Sequence, residues 1–229
     1  MRMWKLVTAP WKKIRLVVFD LDGTLVDSKL DLALSVNAMR GEMGLGPLPL
    51  ELVTSYVGRG VSVLVRRALG DLATDENIEK GITFFLDYYR KHMLDHTRPY
   101  PGVPEALERL QTHKLAVLTN KPVKFTREML TRLGFAPYFA FIYGGNSFPQ
   151  KKPDPMGLRK LMEDFDVPAG QTLMVGDSDT DVLTGRNAGV WTCGVTYGFG
   201  AHTLVENPPD LLLNDLRDLP PLLNGQRQG

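Results

Sequence analysis

Short apolar runs alternate with longer segments of helical periodicity over most of the chain. The first run, residues 14–19, consists of Ile, Leu, Val and Phe around one Arg, as in a strand buried on both faces. Further strands are predicted at residues 115–118, 139–143, 172–175, 190–195 and 211–213. Helical segments separate these strands, which is typical of βαβ units. We therefore predict an α/β fold with a doubly wound parallel sheet.

The stretch between residues 28 and 98 follows a different pattern, with helical spacing of apolar positions and no strand signal before residue 93. Ser28, with Asp31 three positions later, has the pattern of a capping box at the start of a helix. Helices are predicted at residues 30–43, 50–57, 61–69 and 77–93. We therefore expect a helical insertion, residues 28–98, between the two parts of a core made of residues 1–27 and 99–229.

Composition narrows the class of protein. The 229 residues are 43% hydrophobic and 23% charged with a net charge of +1, so charge alone indicates no nucleic-acid or membrane partner. The chain has no apolar run long enough to cross a membrane, and residues 1–13 lack the apolar core of a secretory signal. We interpret those residues as a frayed extension and the tail after Pro220 as loose. The single cysteine, Cys193, suits a reducing compartment, and we expect a cytoplasmic protein.

Two carboxylates, Asp20 and Asp22, follow the first predicted strand and precede Gly23. An Asp-Gly pair is most often a turn. This one directly follows a buried strand and carries a second acid two positions earlier, and carboxylates placed so close together repel unless a cation or a shared proton relieves them. We therefore favour a functional site at this position.

Three more predicted strands end in residues that could carry chemistry. Thr119 follows the second strand, Lys152 lies in the loop after the third, and Asp177 and Asp181 follow the fourth. Because parallel strands place their carboxyl ends on one edge of the sheet, we expect these side chains to lie near Asp20.

The chemistry of this set points to phosphoryl transfer. A carboxylate cluster without His or Cys suits a hard cation, for which Mg²⁺ is the best fit. A hydroxyl and an ammonium can hold the oxygens of a phosphate, and a carboxylate can attack its phosphorus. The set therefore favours a reaction through an aspartyl phosphate.

Four motifs then resemble those of the haloacid dehalogenase superfamily. They are Asp-Leu-Asp-Gly-Thr-Leu-Val-Asp-Ser at 20–28, Leu-Thr-Asn at 118–120, Lys-Lys-Pro-Asp-Pro at 151–155 and Gly-Asp-Ser-Asp-Thr-Asp at 176–181. The resemblance runs over residues 14–213. Segments 56–60, 98–103 and 144–153 are similar to those of bacterial phosphoglycolate phosphatases in particular. The resemblance implies a Rossmann-like core, with the helical insertion forming a cap over the active site.

The resemblance also implies roles for individual residues. Asp20 would be the nucleophile and a Mg²⁺ ligand, and Asp22 the general acid/base with its backbone carbonyl on the metal. Asp177 would be a further metal ligand. Phosphate and substrate would contact Thr119, Asn120, Lys152 and Arg59, and the supporting residues would be Gly23, Gly176 and Asp181. Composition alone leaves Lys151 and Lys152 equivalent; the family motif favours Lys152.

Signals within the insertion are weaker. Gly58-Arg59-Gly60 could present Arg59 to a small anionic substrate, or could be a solvated turn with permissive glycines, and the sequence favours neither. His92 and His96 have a zinc-compatible spacing, but without a third ligand nearby they indicate an exposed helix face.

The resemblance implies a Mg²⁺-dependent phosphomonoester hydrolase acting on a small phosphorylated metabolite. The expected substrate is 2-phosphoglycolate, and the expected assembly is a monomer or homodimer. An acid at position 22 favours phosphate hydrolysis over dehalogenation, because an alkoxide leaving group needs a proton donor. The alternatives are a phosphatase for another small metabolite, a phosphomutase on the same fold, and a non-catalytic binding module.

Overall fold

The computed structural model describes residues 10–225 of the chain. Its strands are β1 (Leu16–Phe19), β2 (Val26–Asp27), β3 (Arg98–Pro99), β4 (Lys114–Leu118), β5 (Phe141–Tyr143), β6 (Thr172–Gly176), β7 (Trp191–Val195) and β8 (Leu211–Leu213). Its α-helices are α1 (Lys29–Glu42), α2 (Leu50–Thr54), α3 (Val61–Leu69), α4 (Asp75–His92), α5 (Val103–Arg109), α6 (Val123–Arg132), α7 (Met156–Phe165), α8 (Asp179–Ala188) and α9 (Leu219–Asn224).

Six strands form one parallel sheet in the order β5-β4-β1-β6-β7-β8. β1 lies near the middle, and Phe19 at its end pairs with Val117 of β4 and Val175 of β6. The residues that follow these three strands therefore emerge side by side at one edge of the sheet. This arrangement confirms the predicted α/β, Rossmann-like class.

Both faces of the central strand are buried, as the unbroken apolar run predicts. Leu16 and Val18 belong to an apolar cluster that also contains Leu158 and Leu161 of α7. Val17 and Phe19 point the other way, into a larger cluster that continues into the helical insertion. Each of these four β1 side chains is fully shielded from solvent. Apolar side chains therefore pack on both faces of β1 and fix the position of its end.

Helices α1 to α4 form the helical cap, packed mainly through α1 against α4 and α3 against α4. Their buried side chains, such as Met39 and Val65, join the apolar cluster on one face of the sheet. The inserted helical cap is thus confirmed, whereas its boundaries at residues 28 and 98 stay a prediction. The structure adds a feature that the sequence analysis missed: β2 and β3 pair antiparallel, so the chain's exit to the cap and its return lie side by side.

The capping box predicted at Ser28 and Asp31 is wrong, although α1 does begin directly after Ser28. Both side chains have partners elsewhere. The Ser28 hydroxyl donates to Asp22 Oδ1 at 2.5 Å. Buried Asp31 accepts from the backbone N–H of His96 at 3.0 Å and from both the N–H and the hydroxyl of Thr97 at 2.7 Å. Asp31 therefore ties the returning connection to α1.

The predictions for the two ends of the chain need correction. Residues 1–9 lie outside the described part, but Trp11 packs edge-on against Trp191, with ring centroids 5.7 Å apart, so the lead-in is partly ordered. The tail after Pro220 is not loose up to residue 225: α9 buries Leu219 and Leu223. Within residues 10–225, no helix combines the length and apolarity needed to span a bilayer.

Candidate active site

The ends of the central strands bring the acidic and hydroxyl side chains together. The N–H of Asp20 donates to Val175 of β6 at 2.9 Å, and the N–H of Thr119 donates to Tyr143 of β5 at 3.1 Å. Asp177 follows β6 directly. Asp20, Thr119 and Asp177 are all buried at this edge of the sheet.

Three carboxylates form a compact group at this edge. One oxygen each of Asp20, Asp177 and Asp181 lies within 4.8 Å of the others, and all three residues are buried. Within residues 10–225 this is the one such group of His, Cys, Asp and Glu side chains that could hold a metal ion. Three buried carboxylates this close together need positive charge nearby.

Lys152 supplies part of that charge. Its Nζ lies 2.9 Å from Asp20 Oδ1 and 2.6 Å from Asp181 Oδ1, and its side chain is 2% exposed. Asp181 is further occupied by Ser178, whose hydroxyl and N–H both reach Oδ2 in a capping box at the start of α8. Asp181 is therefore bonded to Lys152 through one oxygen and to Ser178 through the other.

The pKa values show the shortage of positive charge. Burial, reinforced by Asp181 and opposed by Lys152, raises the pKa of Asp20 to about 6. Burial, with Asp181 and Asp20, raises the pKa of Asp177 to about 8. Burial lowers the pKa of Lys152, but Asp181 and Asp20 outweigh it and the net shift is upward. One ammonium among three carboxylates is too little charge, and a divalent cation would complete it.

Further features of the group fit a cation. Lys152 approaches Asp20 Oδ1 as an ion pair, and no donor in the described part of the chain makes a well-angled hydrogen bond to that oxygen. Backbone packs closely around Asp177: a Cβ on Gly23 would lie 2.4 Å from its Oδ2, and one on Gly198 would lie 2.5 Å away. The N–H of Gly200 donates to the same oxygen at 2.8 Å. The Asp177 carboxylate is thus held in one position.

Gly176 is needed for a similar reason, because a Cβ there would lie 2.1 Å from Cγ of Asp181. Gly198 and Gly200 were missed by the sequence analysis. They lie beyond β7 in the Tyr-Gly-Phe-Gly segment, which has no charged residue to draw attention to it.

Asp22 lies to one side of the carboxylate group and has its own partners. Its Oδ1 accepts from Ser28, and both its oxygens lie 3.0 Å from Nζ of Lys121. Lys121 is buried and also donates to the hydroxyl of Tyr89 on α4 at 2.7 Å. Lys121 and Tyr89 were not predicted as site residues from the sequence, although Lys121 directly follows Thr119 and Asn120, which were.

Asn120 links three segments. Its Nδ2 donates to the backbone oxygens of Gly58 in the cap, at 2.8 Å, and of Lys152, at 3.0 Å, while its Oδ1 accepts from the N–H of Lys152 at 2.9 Å. The side-chain amide is therefore engaged within the protein. It fixes the Lys152 loop and attaches the cap to the core. A direct substrate contact for Asn120 stays a prediction.

Two cavities meet at Asp20 and Asp22. One, of about 130 Å³, is called the polar cavity because most of its lining residues are polar, among them Asp177 and the exposed cap residues Arg59 and Arg67. The other, of about 60 Å³, is mostly apolar. The cap and the core both contribute to its walls. The cap residues are Leu32, Val57, Val61, Leu64, Phe85, Leu86 and Tyr89, and the core residues are Thr119, Lys121 and Phe125.

The model of the haloacid dehalogenase-like hydrolase family matches residues 17–195. This range includes the four loops that carry Asp20, Thr119, Lys152 and Asp177. The chain belongs to this family. Phosphatases of the family use a divalent metal ion, and the buried acids of this hydrolase form a group that could bind one.

Relatives of this hydrolase cover nearly its whole length. A phosphoglycolate phosphatase of Neisseria meningitidis serogroup A is 40% identical over 223 residues, which is 93% of this chain and 95% of that protein. A phosphoglycolate phosphatase of Pseudomonas savastanoi pv. phaseolicola is 43% identical over 90% of this chain and 79% of that protein. A crystal structure of a predicted phosphoglycolate phosphatase from Haemophilus somnus matches with a TM-score of 0.86 and 36% identity, over 90% of this chain and 96% of that chain.

Proposed function

We propose that this hydrolase cleaves the phosphate monoester of a small metabolite, and that 2-phosphoglycolate is the substrate. The products would be glycolate and inorganic phosphate. The observation that carries the proposal is the buried group of Asp20, Asp177 and Asp181 around Lys152 at the end of the central strand. The names of the relatives support the choice of ester.

The cation is proposed to be Mg²⁺, held by Asp20, Asp177 and the backbone carbonyl of Asp22. Oxygen ligands without nitrogen or sulfur suit this hard ion. When bound, it would neutralise charge on the phosphate and on the attacking carboxylate. Asp181 would support the site without binding the cation, since its two oxygens are already bonded to Lys152 and Ser178.

Asp20 is the proposed nucleophile. One of its carboxylate oxygens forms a bond to phosphorus while the ester P–O bond breaks, and Asp22 donates a proton to the departing alkoxide oxygen. Water then attacks the phosphorus of the aspartyl phosphate, and Asp22 accepts a proton from that water. Phosphate leaves and Asp20 is regenerated. Lys152 and Thr119 hold the non-bridging oxygens, where charge must be stabilised.

The cap, with proposed boundaries at residues 28 and 98, would exclude bulk water and select the leaving group. Its loop at Gly58 is bonded to Asn120, so it reaches the core next to the reacting residues. Arg59 in this loop lines the polar cavity and would attract an anionic ester into the site. We also propose a cytoplasmic location, in keeping with the single, buried and unpaired Cys193.

The test is phosphate release from 2-phosphoglycolate by the purified enzyme with and without Mg²⁺. We expect metal-dependent turnover that Asp20→Asn abolishes and that Asp71→Asn, an exposed carboxylate in the cap, leaves intact. Turnover of a panel of small phosphate esters with no preference for 2-phosphoglycolate would reject the substrate. A requirement for a bisphosphate activator, with transfer to a sugar instead of water, would indicate a phosphomutase.

A further inference from the structure

The apolar cavity contains one positive charge that the proposed reaction does not use. Most of its wall is aliphatic and aromatic, but Lys121 is one of its lining residues, and the Lys121 side chain is only 5% exposed. A buried ammonium is costly unless it has partners. Its recorded partners are Asp22 and the hydroxyl of Tyr89.

Both Lys121 and Tyr89 have hydrogen-bonding capacity to spare. An ammonium carries three N–H donors: when the two Asp22 oxygens, which are equidistant from Nζ at 3.0 Å, share one donor and Tyr89 accepts a second, the third is available to another anion. The hydroxyl oxygen of Tyr89 accepts from Lys121, and its own O–H has no acceptor among the described residues. Burial, with the nearby Asp22 and Asp31, raises the pKa of Tyr89, so this O–H stays a donor. The cavity therefore holds two buried donors side by side.

The two donors are close to where the leaving group must lie. Asp22 has to reach the ester oxygen in order to protonate it, and Lys121 lies 3.0 Å from both Asp22 oxygens. In 2-phosphoglycolate the carboxylate carbon is only two bonds from that ester oxygen. An ammonium next to Asp22 can therefore reach the carboxylate of the same substrate.

We propose that Lys121 and Tyr89 form the subsite for the carboxylate of the substrate, and so select small phosphate esters with an anionic leaving group. This inference rests on the proposed function and deepens it. The cavity of about 60 Å³ has room for a few water-sized groups, which suits a two-carbon acid. Its apolar wall strengthens the attraction of an ammonium for a carboxylate, since little water is present to screen it.

The proposed subsite lies between the cap and the core, and each contributes one of its two donors. Lys121 follows the Thr119 loop of the core, whereas Tyr89 lies on α4 of the cap. The ring of Tyr89 stacks on that of Phe85, with the ring centroids 5.5 Å apart, and its centroid lies 5.9 Å from that of Phe125. These contacts hold the Tyr89 hydroxyl in place. Arg59 and Arg67 lie on the other side of Asp22, are exposed, and face the polar cavity. They are placed to attract anions; the buried pair is placed to distinguish one ester from another.

The experiment compares two esters of the same length. 2-Phosphoglycolate carries a carboxylate, and 2-hydroxyethyl phosphate has a neutral hydroxymethyl group in its place. For wild type, Lys121→Met, Tyr89→Phe and Arg59→Met, kcat/KM is measured on both esters and their ratio is formed. The ratio cancels losses that affect both esters alike, such as a displaced Asp22.

We expect wild type to prefer 2-phosphoglycolate. Lys121→Met should lower the ratio by about 10- to 100-fold, the range for a hydrogen bond to a charged group. Tyr89→Phe keeps the ring and its packing, and should lower the ratio by about 3- to 10-fold through the lost O–H. Arg59→Met should change kcat/KM for both esters together and leave the ratio within about twofold.

The outcomes separate the two proposals. A wild-type enzyme that hydrolyses neither ester rejects the proposed function itself. A wild-type enzyme that prefers 2-phosphoglycolate, with the ratio unchanged in Lys121→Met and Tyr89→Phe, keeps the function and overturns the subsite. A ratio that falls in Arg59→Met and not in the other two variants would move the carboxylate to the polar cavity, and would equally overturn it.

Discussion

The core and the cap build the two halves of the active site in different ways. The core half consists of buried charges that hold one another: Lys152 contacts both Asp20 and Asp181, and Gly200 fixes Asp177. The cap half is mostly an apolar wall, and its polar attachments to the core include the Ser28 hydroxyl, which donates to Asp22, the Gly58 carbonyl, which accepts from Asn120, and the Tyr89 hydroxyl, which accepts from Lys121.

This difference indicates a division of labour. Groups that stabilise a reacting phosphate must be in place before the substrate arrives, and a network of mutual ion pairs on strand ends provides that order. Groups that admit and release a substrate must be able to separate, and individual hydrogen bonds such as those of Gly58 and Tyr89 to the core are weaker attachments than a network of buried ion pairs. Substitutions in the core half should therefore reduce catalysis for every ester, whereas the effect of a substitution in the cap half should differ from one ester to another.

The largest effect is expected from removing the ammonium of the core half. Lys152→Met leaves Asp20 and Asp181 without their cation and should lower kcat by roughly 10²- to 10³-fold for all esters. Breaking a buried ion pair should also destabilise the metal-free fold by about 3–5 kcal/mol. Steady-state kinetics on two esters and denaturant unfolding measure the two effects.

The neighbouring lysine provides the matched control. Lys151 is exposed, and Lys151→Met should stay within about twofold of wild type in kcat. Equal losses in the two variants would mean that the loop, and not the buried charge, matters.

A second, smaller effect should come from crowding the carboxylate that faces the cation. Gly198→Ala would place its Cβ 2.2 Å from Cβ of Asp177 and 2.3 Å from the backbone oxygen of Gly23, so Asp177 must shift. The Mg²⁺ concentration for half-maximal activity should rise by about 10-fold or more. Gly170→Ala is the control, because nothing lies within 4 Å of a Cβ there. An unchanged metal requirement in Gly198→Ala would argue against Asp177 as a ligand.

The attachment between cap and core should give a moderate effect. Asn120→Ala removes the bond to Gly58 and the two bonds to the Lys152 loop. We expect kcat/KM to fall by about 10-fold, and limited proteolysis of the cap connections near residues 27 and 98 to become faster, as the cap opens more often. If cleavage at those connections is no faster than in wild type, Asn120 does not attach the cap.

The smallest effect concerns pH and the metal. Unfolded aspartates have a pKa near 3.8, whereas the folded metal-free protein has values of about 6 for Asp20 and about 8 for Asp177. The folded state thus binds protons more tightly, and its stability should fall as pH rises from about 4 through both values. A divalent cation relieves the repulsion that then develops.

Thermal unfolding tests this dependence. Mg²⁺ should raise Tm by a few degrees more at about pH 8.5 than at about pH 5, where protons already neutralise Asp20 and Asp177. A Tm increase that is independent of pH over this range would contradict the assignment of these two acids to the cation site.

The core half could be predicted from the sequence because its signals are local. An apolar run followed by Asp20 and Asp22 indicates where a buried strand ends, and the parallel topology then brings Thr119, Lys152 and Asp177 to the same edge. Even so, the strand ends do not reveal that Asp181 is engaged by Ser178 and Lys152. That depends on side-chain geometry at the start of α8.

The cap half could not be predicted in the same way, because its contacts join residues far apart in the chain. Lys121 and Tyr89 are separated by 32 positions, and Asp31 and Thr97 by 66. In the sequence, Tyr89 belongs to an aromatic helix face that is explained by packing alone, and Asp31 has the pattern of a capping box. Contacts with distant residues determine the roles of both Tyr89 and Asp31. The same holds for the two-residue strands β2 and β3, which pair with each other and are too short to show a period in the sequence.

The most direct measurement is to identify the residue that carries the phosphoryl group. The enzyme is mixed with 2-phosphoglycolate and Mg²⁺, quenched in acid within a turnover, and reduced with borohydride, which converts an acyl phosphate of aspartate to homoserine. Peptide mass spectrometry should find homoserine at position 20, and none in Asp20→Asn. Homoserine at Asp22 or Asp177, or none at all while a burst of glycolate is released ahead of phosphate, would contradict the account.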